Sequence, residues 1–412
     1  MREFDIRDYG AVGDGMTLNT TAIQAAIDAC AAKGGGKVVI GEGIYMSGSI
    51  TLKTGVHLYI EQDGVLLGSP KCEDYPEKVN LKHVETSCLP RHRNAAFIFA
   101  EECENISISG MGKIDCNGTS FVQKKQGEWS GWQYERINAP TPPRVVFFTG
   151  CKNIRIEDIT MVNQPSGWSY WIHDCDYVTF DKCKICAEVR YPNNDGIHIN
   201  SSRNVTISNC DITCGDDCIV VRANNLSLKE NLVCEKVSVT NCNLTSYSAG
   251  IRIAWMSDGV IRNCTFSNIV MTDTTIGVSI FLPEYDPTIA DQGREDTLIE
   301  NLSFNNIVMD RIYARPVKIT IGQTAETRCE AIRNIFFSNV YASGLEFPYL
   351  MGKKDCKLKD IYFNDCKFVK VTAEKLPNYD QHGPSSWDRT EGVQMIQYAE
   401  NVVFNNTSFS AE

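Results

Sequence analysis

The chain has 412 residues, 43% of them hydrophobic, which is enough to build a substantial core in one large domain. Its formal net charge of -11 at pH 7 excludes the basic surface that would mark nucleic acid or an anionic membrane as the main partner. No apolar run reaches the roughly 18 to 20 residues of a membrane span, and the opening MREFDIRDYG has neither a hydrophobic signal core nor a cleavage site, so the sequence as it stands reads as cytoplasmic, or as secreted if a leader was removed.

Taken in chain order, the glycines of GAVGDG are followed by neither a Walker lysine nor a Rossmann unit and are read as a turn. Thr20 to Ala32 then places Ile23, Ala26, Ile27 and Cys30 at helical spacing behind the capping residues Asn19 and Thr20, and KGGGKVV ends the helix. From there a short motif recurs: NISI at Asn105, NIRI at Asn153, YVTF at Tyr177, NVTI at Asn204, KVSV at Lys236, NLSF at Asn301, NIFF at Asn334 and NVVF at Asn401. Most neighbouring spacings fall at about 20 to 35 residues, the range of a solenoid, and the period-two alternation within each copy makes it a strand. The expected architecture is all-β, a right-handed single-stranded parallel β-helix with an N-terminal capping helix. It forms one domain over 1–412, with cap and first strands to about residue 45 and coils thereafter. The 18 cysteines show no Cys/His zinc spacing and are read as reduced, buried small hydrophobes. Two stretches rich in Pro, Gly and charge, 281–297 and 374–392, interrupt the coils and are expected to be functional loops, the second folding over the same face as the first or meeting a neighbouring subunit of a homo-oligomer.

Five segments align without gaps: DGIHIN from Asp195, DCIVVR from Asp217, AGIRIA from Ala249, IGVSIF from Ile276 and RPVKIT from Arg315. Their inward columns are apolar: Ile197, Ile219, Ile251, Val278 and Val317 form one, and Ile199, Val221, Ile253, Ile280 and Ile319 the other. The outward columns then carry His198, Val220, Arg252, Ser279 and Lys318, and Asn200, Arg222, Ala254, Phe281 and Thr320. Asp195, Asp216 and Asp217 are expected at solvent-facing turns entering these strands, beside Arg222, Arg252, Lys318 and His198. Aspartate is common at turns for local reasons. Three in register beside cations, however, suit general acid/base hydrolysis of a glycosidic bond, where one acid is held protonated and others ionised. A calcium site would use the same oxygens.

The stretches DYGAVGDGMTLNTTAIQAAIDAC, GGGKVVIGEGIYMSG, GMGKIDCNG and the pair NNDG and GDDCI occur in the order and pattern of the polygalacturonase family, glycoside hydrolase family 28, which the sequence resembles as a divergent member over about two thirds of its length. The resemblance implies inverting hydrolysis without metal or cofactor, with Asp216 as general acid and Asp195 and Asp217 activating the attacking water. Two departures stand out. The family's Gly-His-Gly is replaced by SYSAG, with Ser248 at or near the histidine, and its Arg-Ile-Lys by Ser279 and Phe281. These changes point to a plant-type, pectic or other oligosaccharide rather than the standard polymer. Arg252 and Lys318 are candidates for a relocated carboxylate clamp, and His173 for the missing histidine. Trp171 and Trp255, with Trp168, are candidate sugar platforms. The two long loops suggest walls at the end of a cleft and hence exo-action. A lyase or sugar-rearranging enzyme, with Arg252 or Arg222 as base, and a carbohydrate-binding β-helix without catalysis remain as alternatives.

Overall fold

A computed structural model describes every residue except 1, 79, 90–94, 128–131, 138–143, 288–294 and 378–394. Of the two expected loops, residues 288–294 of the first and 378–392 of the second lie outside the described residues. Alternating apolar residues leave each short strand with one face to bury, and the chain buries it by winding into a right-handed parallel β-helix: 31 strands join in one continuous sheet. The two inward columns stack in the expected register, Ile197 on Ile219, Ile251, Val278 and Val317, and Ile199 on Val221, Ile253, Ile280 and Ile319. All of these side chains are buried in one core that runs through the coils. Ala254 differs from expectation: at φ 65 it turns into that core instead of facing outward.

The recurring Asn is a corner residue. Asn105, Asn153, Asn204, Asn263, Asn301, Asn334 and Asn401 all have φ between 53 and 57, the left-handed region that Asn tolerates better than most L-residues. Their amides bond from coil to coil, for example Asn301 to Asn263 and Asn334 to Asn301, both at 3.1 Å. A side-chain ladder thus accompanies the backbone ladder and holds the corner in register.

The helix spans Thr20–Ala32 and buries Ile23, Ala26, Ile27 and Cys30 over the first coils, closing the core's N-terminal end. Its capping differs from expectation. The Asn19 side chain makes no cap bond; it accepts from Val12 N at 2.7 Å and donates to the Thr17 carbonyl, tying down the preceding loop. Thr20 Oγ1 accepts from Gly48 N at 2.7 Å. All 18 cysteines are free thiols and most are buried, but Cys72, Cys88 and Cys329 are half-buried and Cys186 is exposed. Cys183 and Cys186, the one pair at CxxC spacing, are divided by the strand's alternation, one buried and one exposed.

Phe266, Phe304, Phe337 and Phe363 stack through the core with successive ring centroids 4.8 Å apart, matching the coil spacing. Phe304 therefore has a ring on each side. Phe304→Ala is expected to cost about 3–5 kcal/mol, read as a lower denaturant midpoint with the far-ultraviolet spectrum retained; an unchanged midpoint would remove the stack from the stability of the coils.

Candidate active site

Two neighbouring coils bring the acids together. Gly196 N bonds to the Asp217 carbonyl at 2.9 Å, which sets Asp195 and Asp217 one above the other at the entry of strands Ile197–Asn200 and Ile219–Arg222. The glycines flanking the acids are sterically required: a Cβ on Gly196 would lie 2.3 Å from the Cys218 carbonyl oxygen, and one on Gly215 2.3 Å from that of Tyr191. In NNDG, Asn193 Nδ2 donates to Asp216 Oδ2 at 3.0 Å, and Asn194 accepts from Gly215 N at 2.7 Å while donating to the Glu188 carbonyl. The motif thus carries one acid, orients a second and braces the turn that holds it.

The acids do not face open solvent as expected. Asp195, Asp216 and Asp217 are only 5, 7 and 4% exposed, because surrounding segments rise over the strand entries. Trp132 Nε1 donates to the Gly215 carbonyl at 2.6 Å, placing an indole beside the acid turn, and Ser246 donates to the Asp216 carbonyl. Asp217 is held on both oxygens. Its Oδ1 accepts from Ser248 Oγ at 2.7 Å and Ala249 N at 3.0 Å, and its Oδ2 from Arg252 Nη1 at 2.9 Å. With both lone pairs of Oδ1 taken, Oδ2 is the oxygen left to face a further donor.

Arg252 lies in the expected outward column between Val220 and Ser279, and Lys318 follows Ser279. The Arg252 guanidinium sits 4.2 Å from the Trp255 ring centroid and 5.3 Å from that of Phe281, and Lys318 Nζ is 5.0 Å from the same Phe281 ring. Phe281, standing where the resemblance places a lysine, thus carries a cation on either side. Arg222, expected to flank the acids, is instead committed to a buried two-bond pair with Asp258, at 3.0 and 2.8 Å.

The histidines and Trp171 occupy a different environment from an open sugar platform. Trp171 is 1% exposed, stacked on Phe147 at 4.3 Å, with the Arg144 guanidinium 3.8 Å from its ring centroid. His173 is buried between Thr149 Oγ1 and Ser227 Oγ, at 3.0 and 3.2 Å, and burial lowers its pKa to about 3. His198 tilts onto Trp168 at 4.0 Å with Nδ1 3.7 Å from Asp195 Oδ2; burial, followed by the nearby Arg222, Arg144 and Arg252, pushes it well below the usual imidazole range. Both rings are therefore neutral.

What buries this outward face is the segment 80–89. Val84 and Leu89 pack on Phe99, Phe147, Trp168 and Trp171, forming an apolar cluster outside the coil core. Lys82 N and His83 N donate to Glu101 Oε1, Glu85 N bonds to the Ser227 carbonyl, and His83 Nε2 pairs with Asp174 Oδ2 at 2.7 Å, where Arg203 also binds. Sequence patterning singled out neither this roof nor Arg144, Trp132, Asn193 and Asp258. Asn193 was legible within NNDG, and the others depend on contacts across the fold.

The family model described as "Glycosyl hydrolases family 28" matches residues 78–375, and one for "Rhamnogalacturonase A/epimerase, pectate lyase-like" matches 4–70. The chain belongs to glycosyl hydrolase family 28. It is an O-glycosyl hydrolase. Among its relatives, a "Probable polygalacturonase" of Vitis vinifera is 28% identical over 281 residues, covering 66% of this chain and 55% of that protein. An "Endo-polygalacturonase" of Pectobacterium carotovorum is 26% identical over 370 residues, 87% of this chain and 86% of that one. In three dimensions the chain is similar to the family 28 exopolygalacturonase of Yersinia enterocolitica, with TM-score 0.72, 19% identity and coverage of 100 and 78%.

The His83 pair gives the roof a pH dependence. The hydrogen bond to Asp174 raises the His83 pKa against the opposing effect of burial, with Asp174, Glu102 and Glu101 adding to the rise; burial pushes Asp174 up, but the bonds from His83 and Arg203 outweigh it and hold that carboxyl low. A raised imidazole stabilises the folded contact below its ordinary value, about 6.5, and the gain is lost as pH rises through its folded value; a lowered carboxyl stabilises above about 3.9, and that gain is lost as pH falls through its folded value. The latch is thus strongest at roughly pH 4 to 6.5. Amide protection in the 82–85 segment, corrected for intrinsic exchange, is expected to be higher at about pH 6 than at about pH 8.5, and His83→Gln to abolish the difference. Equal protection at both values would show that the pair does not hold the roof.

Proposed function

We propose that this glycosidase is an inverting, exo-acting hydrolase of short galacturonate-bearing oligosaccharides. Asp216 protonates the leaving glycosidic oxygen. Water attacks the anomeric carbon from the opposite face, and Asp195 and Asp217 orient that water, Asp195 taking its proton. The observation that carries this reading is that Asp216 and Asp217, adjacent in sequence, meet different donors. Asp216 is turned by the Asn193 amide, whereas Asp217 is clamped by Ser248, Ala249 N and Arg252. Carboxyls in distinct environments are what separate acid and base roles require.

Three further features support the substrate and mode. Among the described residues Arg252 donates a single N–H, to Asp217, which leaves guanidinium donors for a sugar carboxylate beside Ser279 and Phe281. Relatives named as polygalacturonases favour a galacturonate-bearing substrate. The 80–89 roof buries the outward face on the N-terminal side of the acids, where a polymer bound mid-chain would have to continue. A face closed on one side admits a chain end. The Arg252–Asp217 pair also weighs against a lyase: an arginine paired with a carboxylate is poorly placed to abstract a proton, and its charge stands where calcium would have to approach Asp217.

Asp216→Asn is expected to lower turnover by at least the roughly 10² to 10⁴ of one proton-transfer group, with the thermal midpoint retained; near-normal activity in the folded variant would remove Asp216 from the mechanism. With defined oligogalacturonides the first product is expected to be one fixed short unit of inverted anomeric configuration, with long polygalacturonate a poor substrate. A ladder of intermediate lengths at early times would overturn exo-action, and retention of configuration would overturn the mechanism.

A further inference from the structure

Around the corner from the acids, on the neighbouring sheet face, the left-handed column of corner residues has two exceptions. Strand register places ten residues in that column: Asn105, Asn153, Tyr177, Asn204, Lys236, Asn263, Asn301, Asn334, Asp360 and Asn401. Eight are Asn or Asp, residues that tolerate this backbone. Tyr177 and Lys236 hold the same conformation, at φ 55 and 56, without that compensation. A bulky side chain at positive φ is an outlier for which a role should be sought.

Both exceptions line one concavity of about 780 Å³. Its floor is built from short polar side chains, Ser107, Thr179, Thr206 and Ser238 on successive coils, with Arg155 standing among them in the same column. Tyr177 is 60% exposed, and Arg155 and Lys236 are exposed on either side of it along the coil axis. The groove therefore presents an aromatic face, two cations and rows of hydroxyl and amide groups, spaced by coils about 4.8 Å apart. Sugar C–H faces stack on aromatic rings, carboxylates take charge-assisted bonds from Arg and Lys, and ring hydroxyls suit Asn, Ser and Thr.

We propose that this groove is a second, non-catalytic binding site for a uronate-bearing oligosaccharide, with Tyr177 as its platform and Arg155 and Lys236 as its carboxylate contacts. None of these residues belongs to the acid cluster, so the site holds substrate near the enzyme without taking part in bond cleavage. The choice of a uronate rests in part on the function proposed above; the existence of the groove site does not.

The test uses the full chain carrying Asp216→Asn, so that ligand is not consumed, titrated calorimetrically with a defined oligogalacturonide. Two classes of site are expected. Adding Tyr177→Asn and Lys236→Asn is expected to remove one class, weakening it by about tenfold or more, and to leave the other. Asn is the residue that adjacent coils carry at this corner, so the variant should keep or raise the thermal midpoint. In the Asp216 background left intact, the same two substitutions should leave hydrolysis of a short oligomer unchanged and lower adsorption to insoluble pectate. Unchanged binding in the corner variant would overturn the site, and equal binding of a neutral galactan oligomer at the Tyr177-dependent site would overturn the ligand class. Failure of the active-site reading would show separately, as turnover surviving Asp216→Asn or as loss of the Tyr177-independent class alone.

Discussion

Coil-on-coil register is the constraint on which the rest of this molecule depends. A parallel β-helix has no fixed partner strand within a hairpin; each strand finds its neighbour a full coil away, so a one-residue slip would invert every side chain on that face. Here the register is fixed at several levels at once: inward Ile and Val columns, a stack of phenylalanines, and Asn amides bonding from corner to corner. Because these devices agree, outward residues on different coils become neighbours with fixed spacing, which lets residues as distant in sequence as Asp217 and Arg252 form an ion pair.

The acid site shows how substitutions redistribute within such a frame. A histidine and two cations expected from the family resemblance are replaced by Ser248, Ser279 and Phe281. The clamp on Asp217 now comes from Ser248 and from Arg252 on the following coil. Phe281 supplies no charge but lies between Arg252 and Lys318, whose positive ends flank its ring. Charge is thus kept in the region while its position along the solenoid changes, and Arg252 is tied to Asp217 by a charge-assisted bond.

Much of the fold was legible because its periodicities are local. Alternation identified the strands, the recurring Asn motif marked the repeat, and the helical spacing of Ile23, Ala26, Ile27 and Cys30 located the cap. The five-segment alignment around Asp195 and Asp217 required only that equivalent residues stack, and the strand pairing reproduces it. Local reasoning failed where a residue had another option within reach. Asn19 had cap chemistry but found Val12 and Thr17, and Ala254 continued a strand pattern until the chain turned it into the core.

Residue type and spacing by themselves determined the solenoid, its core-facing positions, the in-register acids and Arg252 beside Asp217, since each follows from a period of two within strands and of one coil between them. Only the tertiary structure decided exposure and partnership, because these depend on segments that carry no period. The 80–89 roof turns Trp171, His173 and Phe147 from outward residues into buried ones. Asp258, in what reads as a turn, holds Arg222 in a buried two-bond pair. Asp217 is clamped because Ser248 and Arg252 arrive from the next coil, and that contact is decided by the winding of the chain and not by any neighbour along it.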